Sequence, residues 1–348
     1  MKKLNYVIFG TGRIALEHAK AIRKSRHSVL KGIVGRDPTR TSQLANVLHV
    51  KAYQSYYEVL QDKEVDVVDI VTVNNLHAEI GIKAVRSGKH VLVEKPIDVD
   101  VEKAKILLEL ARKNRVKVSV ISQFRYGKAL KRIKRIIDEG RLGKIFLINA
   151  SVLWSRSQEY YDSSNGWRKE IDKSGGGVLM VQAIHHIDIL QWLLGNVECV
   201  YGYEDTFTHH IGVEDTFAGV MRFKSGAIGT MKATTCTSSS FPDIIEIHGT
   251  KGSIALLICS LRNKYLYWHF GRNSYKDRIL YWINKLVWNV LDAKKGVIKC
   301  QVNDFNRAIL NGEEPVSGGE DGLKALNIVR AFYHSARTGK EVQIRDLR

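Results

Sequence analysis

The 348-residue chain predicts two domains: an N-terminal α/β domain with a doubly wound parallel sheet, and a C-terminal α+β domain with an open, largely antiparallel sheet. Three observations predict this. Nearly continuous apolar runs alternate with amphipathic stretches up to Ser122, the pattern of a parallel sheet covered on both faces. The first of these runs, Tyr6-Val-Ile-Phe9, ends directly on Gly10-Thr11-Gly12. After Ser122 the chain turns to longer, alternating strands separated by turn glycines. We place the boundary there, giving residues 1–122 and 123–348, since the length exceeds a usual single domain.

The elements follow in order. Leu4 to Phe9 reads as a strand, Ile14 to Arg23 as a helix, Ser28 to Val34 as a strand and Thr41 to Leu48 as a helix. Val65 to Val73 is a long apolar strand, and helix Ala78 to Ser87 stops at Gly88, a residue suited to a left-handed C-cap. Strand His90 to Val93, helix Val101 to Asn114 and strand Lys117 to Ile121 complete the first domain. Its connections are expected to be right-handed crossovers. In the second domain Leu130 to Glu139 is a basic amphipathic helix and Lys144 to Leu153 a strand. An apolar helix spans Ile187 to Leu194. Strands follow at Glu198 to Tyr203, Asp215 to Phe223, Ala227 to Thr235 and Asp243 to Gly249. Phe223-Lys-Ser-Gly226 and Gly249-Thr-Lys-Gly252 suit hairpin turns. One face of such an open sheet must be covered, so a homodimer or homotetramer through this sheet is expected.

Composition narrows the function class. The net charge of +18 fits a solvated basic surface or attraction of phosphate-bearing ligands. No helix-turn-helix, zinc-finger or RNA-binding signature accompanies it, so no nucleic-acid partner is expected. No uninterrupted apolar run reaches the ~18 residues of a spanning helix, so neither is stable membrane insertion. Cys199, Cys236, Cys259 and Cys300 are scattered, which suits reduced thiols in the cytoplasm. His209 and His210 have no carboxylate at metal-site spacing, and no metal is expected. Between Tyr275 and Lys295 an apolar stripe at helical spacing runs among basic residues, and packing against the domain or a sister subunit is favoured over a membrane surface.

The glycine turn carries the first chemistry. A strand feeding such a turn and then a helix sets a pyrophosphate on exposed backbone N–H groups. Gly10 permits the turn, Gly12 lets the backbone approach phosphate, and Ala15 keeps helix and strand close. The candidate cofactor contacts here are Gly10, Thr11, Gly12, Arg13 and Ile14. After the second strand stand Gly35-Arg36-Asp37, and Arg36 is a candidate for stacking on adenine or pairing with a 2′-phosphate. The cofactor is therefore NAD or NADP, with a lean to NADP.

Further motifs give the chain a recognisable look: Thr72-Val-Asn74-Asn75-Leu-His77, Gly88-Lys-His-Val-Leu-Val-Glu94-Lys95-Pro96, Gly175-Gly-Gly177 leading to His185-His-Ile-Asp188, and Val213-Glu-Asp215-Thr. In this order they resemble the Gfo/Idh/MocA oxidoreductases, over nearly all the chain except 262–299. The resemblance implies a Rossmann domain with Thr72, Asn74, Asn75, His77, Glu94, Lys95 and Gln123 at the cofactor. It also implies catalysis by Lys95, whose bond to Pro96 is often cis in the family, and by His185. Lys95 would hydrogen-bond the reacting oxygen and His185 would act as base, the two converging on one alcohol beside the nicotinamide. His186 is expected at the surface and Asp188 paired within its helix. Arg125, Tyr126, Arg156, Tyr160, Trp167, Arg168, Gln182 and His185 are the implied substrate contacts. Trp154, Arg156, Tyr160-Tyr161-Asp162 and Trp167-Arg168 look most like nucleotide-sugar 3-dehydrogenases, which oxidise UDP-linked N-acetylhexosaminuronic acids for surface polysaccharides.

One departure stands out. Where the family usually has aspartate, and the nucleotide-sugar branch asparagine, this chain has Val181, with the amide of Gln182 adjacent. The leading expectation is an NAD(P)-dependent dehydrogenase of a sugar hydroxyl, the sugar nucleotide-linked. Two alternatives stand beside it: a free-sugar, inositol or dihydrodiol-type dehydrogenase, and a catalytically silent dinucleotide-binding sensor.

Overall fold

Apolar strands that must bury both faces form the sheet of the N-terminal half. The computed structural model describes residues 2–258, 264–270 and 296–344, with 264–270 described by backbone alone. Strands β1 (Leu4–Phe9), β2 (Ser28–Val34), β3 (Lys51–Ala52), β4 (Val67–Ile70), β5 (His90–Val93) and β6 (Val118–Val120) form one sheet in the order β3-β2-β1-β4-β5-β6. Every pairing in it is parallel. The order reverses between β1 and β4, which is where such sheets leave a crevice at their carboxyl ends.

The helices show why the sequence folds this way locally. Helix α1 (Arg13–Lys24) buries Ala15, His18, Ala19 and Ile22 at i, i+3, i+4 and i+7. Helix α2 (Pro38–Leu48) starts earlier than the expected Thr41, because Asp37 accepts the Arg40 N–H at 3.1 Å and Pro38 occupies the first turn. The short helix α3 (Tyr56–Gln61) was not expected; Ser55 caps it and the Glu58 carboxylate reaches back to the Gln54 N–H. Helices α4 (His77–Arg86) and α5 (Val101–Lys113) complete the crossovers. The expected strand Val65–Val73 is cut to β4, since its partner β1 leaves the ladder at Gly10.

The chain divides into two compact units, and the first is not one continuous run. It comprises Met1–Gln123, Asp172–Gly175 and Gly296–Leu326, whereas the expectation put everything after 122 in the second domain. The physical reason is helix α10 (Val297–Asn311), whose Val302 and Phe305 join the core of Tyr6, Ile8, Ile22 and Ile33. The Tyr6 hydroxyl donates to Asn306 at 2.5 Å, and the Gln301 amide donates to the Val120 carbonyl at 2.8 Å.

The second unit holds the described residues of Phe124–Ile171, Gly176–Lys295 and Asn327–Arg348. Its sheet contains β7 (Ile145–Leu153), β8 (Val197–Asp205), β9 (Thr216–Phe223), β10 (Ile228–Thr234), β11 (Asp243–Gly249), β12 (Gly252–Ile258), β13 (Lys264–Phe270) and β14 (Val342–Gln343). The order is β13-β12-β11-β7-β10-β9-β8-β14. It is antiparallel except for β7 beside β10, a parallel pair that the expectation of hairpins did not include. On one face Ile148, Ala150, Phe217, Met221, Met231 and Ile247 are buried. On the other, the register places Leu147 beside Ile228, and Leu147, Tyr203, Val220 and Ile228 are exposed.

Helices α6 (Lys128–Asp138), α7 (Gln158–Asp162), α8 (Ile171–Ser174), α9 (Ile184–Leu194) and α11 (Gly319–Thr338) complete the described structure. The helical stretch Ile171–Leu194 is long and apolar enough to cross a membrane by composition, yet 78% of that window is buried inside the protein. The stripe at 275–295 lies outside the described residues.

Candidate active site

The glycine turn has the geometry that phosphate binding requires. Gly10 takes φ +122°, and a Cβ there would lie 2.7 Å from the Val71 carbonyl oxygen. At Gly12, the N-cap of α1, an added Cβ would meet nothing within 4 Å. The helix has no acidic residue in its first turn and no side chain capping it, so its dipole is not offset there by the protein. Arg13 and Ile14 beside it are exposed. Two buried side-chain oxygens, Asn75 Oδ1 and Gln123 Oε1, have no hydrogen-bond partner among the described residues. Together these features fit a dinucleotide: an anion cradle that a methyl group would fill, and orphaned acceptors for a carboxamide.

The glycine at position 35 also has a physical cause. A Cβ there would sit 2.6 Å from Thr11 Cγ2 and 2.9 Å from Thr41 Oγ1. A carboxylate side chain does not fit at that point, so no acid is presented to a ribose 2′-hydroxyl from it. Asp37 is taken up as the cap of α2. Arg36 lies close enough to Tyr56 to bias its phenol, and Tyr56 in turn packs on Phe9 with ring centroids 4.8 Å apart.

Lys95 lies two residues past the end of β5, and its bond to Pro96 is cis. The chain around it is held from both sides. Its own N–H donates to Glu94 Oε2 at 3.1 Å. On the other side, the His77 ring sets Nδ1 2.7 Å from the Pro96 carbonyl and Nε2 3.2 Å from the Thr72 carbonyl. His77 is fully buried, so both of its nitrogens serve this turn rather than a ligand. Asn74 is likewise committed, donating to the Ser174 carbonyl at 2.9 Å.

Sequence reasoning missed what lies behind Glu94. The buried ring of His18 sets Nδ1 2.9 Å from Asp69 Oδ2 and Nε2 3.1 Å from Glu94 Oε1. Burial alone would lower the His18 pKa, but the two carboxylates outweigh it and raise it to about 10. Glu94, pushed up by burial, is pulled down overall by His18 and Lys95. Asp69 is raised by its complete burial.

In the second unit His185 stands on the first turn of α9, half-buried, with its ring edge-on to Phe124 at 5.3 Å. A π-helical turn, Leu179–Ala183, precedes it and carries Val181 and Gln182; such turns recur at functional sites. Gln182 donates to the Tyr160 hydroxyl at 3.0 Å, and its buried Oε1 has no partner among the described residues. The start of this helical stretch is pinned by Glu214, whose carboxylate accepts the Gly177 N–H at 2.6 Å and the Leu179 N–H at 2.9 Å. Burial raises the Glu214 pKa to about 7. No side chain fits at Gly177, where a Cβ would lie 1.7 Å from the Glu214 carbonyl oxygen.

Two expectations about neighbours of His185 fail. His186 is buried, not at the surface, with Nε2 3.3 Å from Asp243. Asp188 does not pair within its helix; it takes the Arg125 guanidinium in a fork, Nε to Oδ2 at 2.8 Å and Nη2 to Oδ1 at 2.5 Å. Arg125, expected at the substrate, is 1% exposed and committed to that carboxylate. Tyr126 is buried too.

Arg156, Tyr160, Trp167 and Arg168 do come together. The Arg156 guanidinium lies 4.8 Å from the Trp154 ring centre and 5.3 Å from that of Tyr160. Arg168 lies 4.7 Å from Tyr160 and 4.8 Å from Trp167. Both guanidiniums bond only to neutral oxygens, Arg156 to the Ser155 carbonyl and Arg168 to Tyr160 and Ser163. Among the described residues neither has a carboxylate partner. The Arg156 main chain is anchored by His209, whose Nε2 lies 3.0 Å from its carbonyl while Nδ1 lies 2.9 Å from Asp215. Ligand atoms of His209, Asp215 and Cys236 lie within 4.8 Å of one another, but Asp215 already accepts the Phe207 and Thr208 N–H groups at 3.0 Å. That cluster is a loop anchor.

Comparison with known proteins agrees with this architecture. Residues 4–122 match an oxidoreductase family with an NAD-binding Rossmann fold, and residues 130–255 match the GFO/IDH/MocA C-terminal domain. The scyllo-inositol 2-dehydrogenase (NAD(+)) of Bacillus subtilis is 28% identical over 97% of this chain and 95% of its own length. The 1,5-anhydro-D-fructose reductase of Ensifer adhaerens is 28% identical over 84% of each chain. The WlbA dehydrogenase of Bordetella pertussis, crystallised with NADH and UDP-GlcNAcA, superposes with a TM-score of 0.87 at 28% identity over 98% of each chain. With both halves matched in order, the chain belongs to the GFO/IDH/MocA oxidoreductases and is an NAD(P)-dependent dehydrogenase.

Proposed function

We propose that the protein oxidises or reduces a secondary alcohol centre on an anionic, nucleotide-linked sugar, with Lys95 and His185 as its catalytic residues. The observation that carries this reading is the stack of Arg156 and Arg168 on Tyr160, two guanidiniums with no carboxylate partner among the described residues. Guanidiniums so placed offer forked donors to a diphosphate or a uronate, and Trp154 and Trp167 offer faces for a base or a sugar. A neutral polyol needs none of this. The WlbA dehydrogenase, crystallised with UDP-GlcNAcA, is similar over the whole chain.

When bound, the dinucleotide would supply the hydride acceptor or donor for the carbinol carbon. In the oxidising direction Lys95 hydrogen-bonds the alcohol oxygen and offsets charge developing on it, and His185 accepts the hydroxyl proton. Gly10, Thr11, Gly12, Arg13 and Ile14 would hold the pyrophosphate, and Asn75 and Gln123 would hold the carboxamide. The remaining amide acceptor of Gln182 takes a substrate hydroxyl in place of the side chain that Val181 lacks. Arg36, with no acid at Gly35, favours NADP. The exposed face bearing Leu147, Val220 and Ile228 is the surface through which a homodimer or homotetramer forms. A cytoplasmic location agrees with Cys199, Cys236 and Cys300 as free thiols.

The test is turnover of UDP-N-acetylglucosaminuronate against scyllo-inositol, with either cofactor. Lys95→Ala and His185→Ala should each cost on the order of 10²–10⁴ in kcat. Arg168→Met should raise KM for the nucleotide sugar at least tenfold. The inositol and anhydrofructose relatives motivate a free-polyol reading. Turnover of the polyol with no binding of the nucleotide sugar would establish that reading instead, and no turnover of any sugar would favour a silent sensor.

A further inference from the structure

We propose that His18 is a positioning residue: bridging Asp69 and Glu94, it fixes the Glu94 carboxylate and, through it, the main chain of Lys95. The inference rests on the reading of Lys95 as the group that touches the reacting oxygen.

The bridge is continuous from β4 to the Lys95 main chain. His18 Nδ1 meets Asp69 Oδ2 at 2.9 Å, His18 Nε2 meets Glu94 Oε1 at 3.1 Å, and Glu94 Oε2 accepts the Lys95 N–H at 3.1 Å. A ring with a carboxylate at each nitrogen donates from both, so it stands there as an imidazolium. The site is dry: His18 and Asp69 are 0% exposed, and the Glu94 side chain is 14% exposed. The groups facing the ring come from separate elements, Asp69 from β4 and Glu94 from the end of β5. The Tyr6 phenol on β1 feels the Asp69 charge and is raised by it and by burial.

Packing alone does not call for these residues. Along the same face of α1 the neighbours are Ala15, Ala19 and Ile22, and along β4 they are Val67, Val68 and Ile70. An aliphatic trio would bury the same volume without desolvating three charges, a cost that buried ionic groups only partly recover. What the trio does add is a fixed direction for Glu94. Combined with His77 on the Pro96 carbonyl, it clamps the turn that presents Lys95 from both sides. A displacement of ~1 Å at a reacting group costs on the order of 100-fold in rate.

The experiment compares wild type, His18→Gln, His18→Gln/Asp69→Asn, Glu94→Gln and Lys95→Ala, reading kcat, KM, the NADH dissociation constant and Tm. In His18→Gln the site holds two carboxylates and no cation; the double variant restores a net charge of minus one. Glu94→Gln keeps the size but turns one oxygen into a donor, so either the His18 link or the Lys95 amide link fails. We expect His18→Gln to lower kcat by ~10–100-fold with KM and NADH affinity within ~3-fold, Glu94→Gln to lower kcat by as much, and the double variant to regain part of the loss. If His18→Gln does not fold, Glu94→Gln and the double variant carry the same test. Unchanged kcat in the folded variants, with Lys95→Ala inactive, overturns the positioning role and leaves the proposed function standing. An active Lys95→Ala overturns the function itself.

Discussion

The two glycines of the first turn make a paired perturbation whose effects separate stability from binding. At Gly12 the backbone sits at φ −72°, ψ 171°, which alanine adopts freely, and an added Cβ meets no protein atom within 4 Å. Gly12→Ala gains ~0.4–1 kcal/mol by restricting the unfolded chain, and alanine is a poorer N-cap by a few tenths of a kcal/mol or more. The net change in stability is therefore within ~1 kcal/mol. In the same variant the methyl group occupies the space in front of the α1 amides, where a phosphate oxygen would sit. Losing one hydrogen bond to a charged group costs ~1.5–3 kcal/mol, so NADH should bind ~10–150-fold more weakly. Gly10→Ala behaves the other way. Its φ of +122° and the carbonyl 2.7 Å away put strain and overlap into the folded state, and it should lose ~2–4 kcal/mol of stability. Thermal unfolding without ligand and fluorescence titration with NADH read the two quantities separately. Unchanged NADH affinity in Gly12→Ala would refute the assignment of this turn to the pyrophosphate.

Arg125→Met should destabilise by ~3–5 kcal/mol, because it leaves Asp188 charged and buried, and Arg125→Met/Asp188→Leu should recover most of the loss in denaturant unfolding. Glu214, raised by burial to about 7 against ~4.3 unfolded, holds a proton in the folded state that the unfolded chain has released. Its contribution is full below pH ~4.3 and is lost as pH rises through about 7. Wild type should thus lose about 4 kcal/mol relative to Glu214→Gln across that window, and parallel stability curves for the two proteins would contradict it. Arg36→Glu should weaken NADPH binding at least tenfold and spare NADH, which fluorescence titration of each cofactor decides.

The sequence made the first sheet legible because period and punctuation agreed there. Apolar runs too continuous for a half-exposed strand could only lie in a covered parallel sheet, and the glycines stood where the chain had to turn. What periodicity does not encode is return of the chain. Helix α10 reads as an ordinary amphipathic helix, and nothing local says that Phe305 will pack in the core of Tyr6 and Ile8. The same holds for the parallel pairing of β7 with β10, in which strands far apart in sequence become neighbours. Short elements escape for a different reason. β3 is two residues long and α3 six, too brief for any period, although Ser55 and Glu58 carried a capping signal that could have located α3.

Side-chain roles divide along the same line. Residue type marked Arg125 and Arg156 equally, yet Arg125 is consumed by an aspartate 63 positions away while Arg156 lies on aromatic rings. A guanidinium's use is decided by whether a carboxylate reaches it first, and that is a tertiary fact. Even so, one buried assembly did leave a trace. His18 falls on the apolar stripe of α1 beside Ala15, Ala19 and Ile22, and Asp69 interrupts a run of valines and isoleucine in β4. Each is out of place for a residue buried by packing alone, since a lone buried charge or imidazole is expensive. Two such misfits on neighbouring elements of one sheet-and-helix layer are best explained by each other. The carboxylate that completes the pair, Glu94, is the residue that precedes the lysine on which the chemistry is proposed to depend.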